Sequence, residues 1–116
     1  MANATKIGDA IRKRALSYPE TVEDHPWGES AFKVKGKVFV FMGSHDGELS
    51  FSVKLPKSAD FALDLPGSEP THYGHGAKGW VTLRPTAKTR LDVLYSLIDE
   101  SFRAVAPKRV LKELDS

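Results

Sequence analysis

Three lysines, Lys33, Lys35 and Lys37, alternate with other residues around a Lys35-Gly36 pair. That pair sits between two runs rich in β-branched and aromatic residues, the mark of a tight β-hairpin. Three ammonium groups would then crowd the tip of a ribbon, where they could reach phosphate oxygens. Such contacts hold a nucleic acid without reading its sequence. The bland alternative is that the lysines only protect a sheet edge from pairing with other chains. Farther along, His75, Lys78, Trp80 and Arg84 gather cations and planar rings within one loop and strand. A base and its phosphate suit that combination, although a tryptophan more commonly anchors a core.

Other constellations carry less chemistry. Gly74-His75-Gly76-Ala77-Lys78-Gly79 has the letters of a dinucleotide-binding turn, but such a site needs a strand before it and a helix after it. Here a strand follows, so the glycines are expected to serve a hairpin loop. His72 and His75 are spaced as ligands on a helix would be, yet Gly74 and Gly76 disfavour that helix, and no metal site is expected. Ser44-His45-Asp46 names the members of a catalytic triad as chain neighbours, which cannot relay from nucleophile to base to acid. Nothing places Glu20, Glu23 and Asp24 in environments that would separate their acidities. With no nucleophile and base at workable spacing and no cofactor motif in context, neither an enzyme nor a cofactor is expected.

The elements that must position these residues follow from periodicity. Ile7, Ala10, Ile11 and Ala15 recur along one face of a helix over Thr5 to Leu16, which Pro19 ends. Strands are predicted at Ala31 to Val34, Val38 to Met42 and Leu49 to Val53, then a short helix opened by Pro56, then strands near Tyr73 and at Trp80 to Leu83. Thr89 and Asp92 resemble a capping box. They precede a long helix carrying Leu91, Leu94, Tyr95, Ile98 and Phe102, and a terminal helix carries Val110, Leu111 and Leu114. The order is helix, three strands, short helix, two strands, long helix, terminal helix. It predicts an α+β fold, a two-layer sandwich with a mainly antiparallel sheet and helices on one face. A straight register across the Lys35-Gly36 turn would put Phe32, Val34, Phe39 and Phe41 toward the helices. Lys33, Lys35, Val38, Val40 and Met42 would then face away, joined by Ser50, Ser52 and Lys54.

At 116 residues, 41% apolar and 28% charged, the chain has the size and composition of one domain, 1–116. The absence of cysteine excludes disulfides, thiolate metal sites and thiol nucleophiles, and suits a reducing cytoplasm. Its longest apolar run, Val38 to Met42, is too short to cross a bilayer, and no apolar segment marks a secretory signal, so membrane partners are not expected. A net charge of +2 pushes only weakly toward anionic partners.

Several stretches together resemble one family: Pro19-Glu20-Thr21-Val22-Glu23-Asp24-His25-Pro26-Trp27-Gly28, Phe32-Lys33-Val34-Lys35-Gly36-Lys37-Val38-Phe39, Gly79-Trp80-Val81-Thr82-Leu83 and Ser101-Phe102-Arg103-Ala104-Val105-Ala106-Pro107-Lys108. They are similar to the MmcQ/YjbR family over nearly the whole chain. The resemblance implies a two-layer α/β domain that binds DNA through two β-hairpin wings, here Lys33 to Val38 and the Gly74 to Gly79 loop entering Trp80. Many relatives carry a His-Met-Asn-Lys-like stretch before the tryptophan, where this chain has His72-Tyr73-Gly74-His75-Gly76-Ala77-Lys78-Gly79. The expected function is low-specificity DNA binding through Lys33, Lys35, Lys37, His75, Lys78, Trp80 and Arg84. The alternative is a small-ligand or protein-binding module that uses the open sheet face, as a monomer or weak homodimer.

Overall fold

The computed structural model describes residues 2–25, 29–45, 48–71, 79–86 and 89–115, with side chains from residue 6 onward except that of residue 45. These residues form α1 (Ala2–Leu16), β1 (Thr21–Asp24), β2 (Ser30–Val34), β3 (Lys37–His45), β4 (Glu48–Lys54), α2 (Ala59–Leu63), β5 (Glu69–Pro70), β6 (Trp80–Leu83), α3 (Leu91–Val105) and α4 (Lys108–Leu114). The strands form one antiparallel sheet in the order β1-β2-β3-β4-β6-β5. The expected α+β sandwich is present, with an added edge strand, β1. That strand carries no apolar alternation to find, because Val22 is the one large apolar residue among Thr21, Glu23 and Asp24. The strand expected near Tyr73 lies outside the described residues.

The Lys35-Gly36 turn forms as its residues dictate. Both take positive φ, 51° and 79°, the left-handed pair that matches the twist of a two-residue hairpin. Val34 therefore faces Lys37, and Lys33 faces Val38. Then the register shifts, and Phe32 pairs with Val40 rather than with Phe39. Phe39 is the extra residue of a β-bulge, and beyond it every side chain of β3 changes face. Both Phe39 and Val40 are fully buried, Met42 is buried, and Phe41 turns outward to 37% exposure. This corrects the straight-register expectation at Val40, Phe41 and Met42. Five consecutive apolar residues, Val38 to Met42, contain no alternation that could reveal the shift.

With that register, Phe32, Val40, Val53 and Val81 form a row across four strands, each at most 1% exposed. Ile7, Ile11 and Ala15 of α1 pack on the same core, as do Leu94, Leu97, Ile98 and Phe102 of α3 and Val110 of α4. At its centre Tyr18 stacks on Phe102 with ring centroids 4.5 Å apart, and Phe39 meets both rings edge-on at 5.9 and 5.0 Å. Aromatic pairs of this kind contribute about 0.5–1.5 kcal/mol each beyond their buried area.

Two polar contacts, one of them buried, tie the helix layer to the sheet and to α2. Ser101 of α3 is fully buried, its Oγ donating to the Phe39 carbonyl at 2.6 Å and accepting from the Lys54 N–H at 2.8 Å. The hydroxyl thus satisfies backbone groups where the bulge ends the β3–β4 ladder at Val40 and Val53. Glu100, one residue earlier, accepts from the N–H groups of Lys57 and Ser58 at 2.8 and 3.0 Å, just ahead of α2. Burial alone would raise its carboxyl, but the hydrogen bonds from Ser58 and Lys57 outweigh it and hold the group below the usual carboxylate range. The expected capping box at α3 does not form. The helix starts at Leu91 with Arg90 as its cap, one residue later than a Thr89 cap requires, and Thr89 Oγ1 accepts from the Thr86 N–H at 2.8 Å instead.

Replacing Ser101 with Ala leaves a buried carbonyl and a buried N–H without partners, and the expected loss is about 1–3 kcal/mol, read as a lower urea midpoint. Tyr18 gives a pH signature. Burial pushes its phenol up to about 12, with the nearby Asp99 carboxylate, its 3.0 Å hydrogen-bond acceptor, adding to the rise against an opposing Arg14. The folded protein favours the neutral phenol, so this contribution is fully present below about pH 10 and is lost as pH climbs toward the folded value. The stability difference between the native chain and Tyr18→Phe should shrink over that window. A constant difference up to pH 12 would contradict the assignment.

Candidate nucleic-acid interface

The face of the sheet opposite the helices is built by residues that alternate with the core. On β4, buried Leu49, Phe51 and Val53 leave Ser50, Ser52 and Lys54 turned away, as expected. On β6, buried Val81 and Leu83 leave Trp80 and Thr82 on that side. Lys54 pairs with Trp80, and Ser52 pairs with both Phe41 and Thr82. The bulge therefore delivers Phe41 to the same surface as Trp80, and over the small Ser52 between them the rings lie 6.0 Å apart at 50°. Beside them the Thr82 hydroxyl bonds Ser52 Oγ at 2.8 Å and Thr71 Oγ1 at 3.0 Å. Lys33 and Val38 continue the surface toward β1, where Val22 is 59% exposed.

Apart from Trp80, the predicted site residues divide into four groups. Lys33, on the open face, forms an ion pair with Asp24 at 3.0 Å, and this hydrogen bond is the main reason the Asp24 carboxyl sits below its ordinary range. Lys35 and Lys37 occupy the hairpin tip. Lys35 is held by Glu20, which lies beside the tip just ahead of β1, whereas exposed Lys37, opposite Val34, has no ion pair among the described residues. Hydrogen bonding from Lys35 lowers Glu20, and Glu20 in turn raises its neighbour Glu113 of α4, so Glu113 is the member of the pair that keeps a proton longer as pH rises. Arg84, just past β6, is tied to Glu69 at 2.6 Å and to the Gly67 carbonyl at 2.8 Å. His75 and Lys78 lie outside the described residues.

The structure thus joins Lys33 and Trp80 to Phe41 and Lys54, and leaves the tip lysines at the rim. Alternation cannot find Phe41, because the bulge reverses its face. The hydroxyl string of Ser52, Thr82 and Thr71 escapes a reading of the sequence because small polar residues on a strand carry no distinctive signal. Among the described residues no group of three histidine or acidic side chains is placed to hold a metal ion, and no helix is long and apolar enough to cross a membrane.

Residues 16–104 match the family model described as YjbR. The chain belongs to the YjbR family. The match spans β1 to β6 and nearly all of α3, so every element that builds the open face belongs to the shared YjbR domain. A search of curated proteins finds no match. Among solved structures, one from Pseudomonas syringae, a structural genomics target, is similar with a TM-score of 0.62 at 20% identity. The similarity covers 86% of this chain and 95% of that one, and shows a common fold.

Two glycines hold this surface in place by different means. Gly36 has φ 79° with open space where a Cβ would go, so Gly36→Ala should cost only the left-handed backbone penalty, about 1–2 kcal/mol. Gly79, which leads into Trp80, has φ 87°, and its Cβ would meet the Leu55 carbonyl oxygen at 3.2 Å. Gly79→Ala should therefore cost more than Gly36→Ala. Comparing the two urea midpoints checks that order.

Proposed function

We propose that this YjbR protein binds DNA with low sequence specificity along the open sheet face, as a binding module and not as an enzyme. The observation that carries the reading is the Phe41–Trp80 pair, set on the face of the sheet opposite the helices with Lys54 opposite Trp80 and Lys33 on β2, beside the strand that carries Phe41. Aromatic rings on a sheet offer stacking surface to any base, and flanking ammonium groups neutralise phosphates. Neither contact reads a base edge, which accounts for low specificity.

The ion pairs on this face are compatible with that role. Lys33–Asp24 and Lys35–Glu20 are exposed or half-exposed pairs, and solvent screening leaves such pairs weak. A phosphate can therefore displace a carboxylate at little cost. Lys37 and Lys54 need no displacement, since neither has an ion pair among the described residues. The hairpin tip then extends the interface beyond the aromatic pair, in keeping with the wing that the family resemblance implies. Stacking favours strands whose bases are free, so single-stranded DNA should bind at least as tightly as duplex of the same length.

The test is fluorescence anisotropy with single-stranded and duplex DNA over a salt series. Phe41→Ala should weaken single-strand binding by about 1–3 kcal/mol, roughly 5- to 150-fold. Lys33→Glu with Lys54→Glu should weaken both substrates and reduce the salt slope by about 1 for each phosphate that is no longer neutralised. Asp24→Asn, which frees Lys33, should strengthen binding. Affinity that ignores salt, or is unchanged in the double charge reversal, would overturn the proposal.

A further inference from the structure

Charge on the open face is sorted along the strands. At the end nearer the Lys35-Gly36 turn lie Lys33 of β2 and Lys54 of β4, with Val38 beside the one and Trp80 beside the other. At the opposite end Glu48 continues the outward series of Lys54, Ser52 and Ser50 on β4. Glu29, just ahead of β2, joins it there. Gly43 pairs with outward Ser50 and follows buried Met42, so a side chain at that position would belong to the open face, and a Cβ built on it would stand 2.8 Å from Glu29 Oε2. The Glu29 carboxylate therefore lies over Gly43 on this face. Glu29, Glu48 and Lys54 have no ion pair among the described residues. Lys33 is in contact with Asp24.

These charges share a midline. Lys33 and Glu29 are evenly spaced about Ala31 on β2, and Lys54 and Glu48 are evenly spaced about Phe51 on β4. Ala31 pairs with Phe41, and Phe51 pairs with the next residue, Met42, so both midpoints fall on one line across the sheet at Phe41. A half-turn about that line would lay a second copy on the face with its strands reversed. Lys33 would then meet Glu29 of the second copy, Lys54 would meet its Glu48, and the two Phe41 rings would meet at the axis. Each pairing occurs twice, as a two-fold contact requires. Turned instead about a line along the strands, Lys33 would face Lys54, which like charge disfavours.

We infer that a second copy of this chain docks face to face on the open sheet, about a two-fold axis that crosses the strands at Phe41. Half-exposed Phe41 and Val22, with Val38 and Trp80, supply the apolar centre, and the lysine–glutamate pairs lie around it, the usual anatomy of a protein–protein contact. Two sheets packed in this way bring their facing side chains into one layer. Paired copies withhold Phe41 and Trp80 from any other ligand, so the monomer is the form that can take DNA. That last consequence rests on the DNA reading, whereas the pairing does not.

The test is sedimentation velocity on two charge-reversed variants, alone and mixed. One carries Lys33→Glu and Lys54→Glu, the other Glu29→Lys and Glu48→Lys. The native chain should self-associate as its concentration rises, and less so at high salt. Each variant alone sets like charge against like and should self-associate at least about tenfold more weakly. In an equal mixture every reversed position meets an opposite charge, so a heterodimer of near-native affinity should form, a recovery that a misfolded variant could not give. A native chain that stays monomeric up to about 1 mM, a variant that self-associates as the native chain does, or a mixture no more associated than its parts would overturn the proposal. Single-stranded DNA added to the native dimer should split it. If the mixture recovers and DNA leaves the dimer intact, the DNA reading fails and the pairing stands.

Discussion

The structure turns on a single extra residue in β3. Because Phe39 is inserted opposite the Phe32–Lys33 step, two successive side chains enter the core and the rest of the strand exchanges faces. A bulge leaves backbone groups outside the ladder, and buried groups of that kind must find partners. Ser101 is the partner. One hydroxyl, donating to β3 and accepting from β4, closes the gap from the helix side. The helix layer is thereby registered to the sheet by a polar contact, and the stacked rings of Tyr18, Phe39 and Phe102 fill the space around it.

That same insertion decides what the protein shows to its surroundings. Without it, Phe41 would be a core residue and the open face would carry Val40 and Met42, an aliphatic surface with no planar group on its central strand. With it, an aromatic ring from β3 meets one from β6 above a serine, in a neighbourhood that contains lysines and a chain of hydroxyls. The surface therefore combines two features of different kinds, flat apolar area and positive charge. Both are fixed on paired strands, not on loops, which keeps their spacing constant.

The division between what the residues reveal and what they hide follows from the same physics. Helical stripes such as Ile7, Ile11 and Ala15, or Leu94, Ile98 and Phe102, are legible because one face is buried and the other is wet. The Lys35-Gly36 turn is legible because its backbone demands a residue tolerant of positive φ. Alternation puts Lys33, Ser52 and Lys54 correctly on the open face because Lys33 lies between buried Phe32 and Val34 and β4 alternates along its length. It misplaces Phe41 because β3 is apolar on both sides, and a register shift changes no letter of the sequence. Ser101 stays hidden because a serine inside an apolar helix stripe announces nothing until its acceptor is known. The cap at α3 differs from expectation by one residue, a displacement that local composition rarely resolves.

The borders of the sheet have a consequence for how such a surface can be displayed. Among the described residues one border is β5, two residues long and closed by Pro70; the other is β1, four residues with acidic side chains at Glu23 and Asp24. A neighbouring molecule seeking to extend the ladder would meet either a missing donor and almost no length, or a short rim of negative charge. The sheet is self-limiting in the plane of its hydrogen bonds. An aromatic surface on the face opposite the helices can therefore coexist with resistance to cross-β stacking, and new contacts are channelled to the flat of the sheet rather than to its ends.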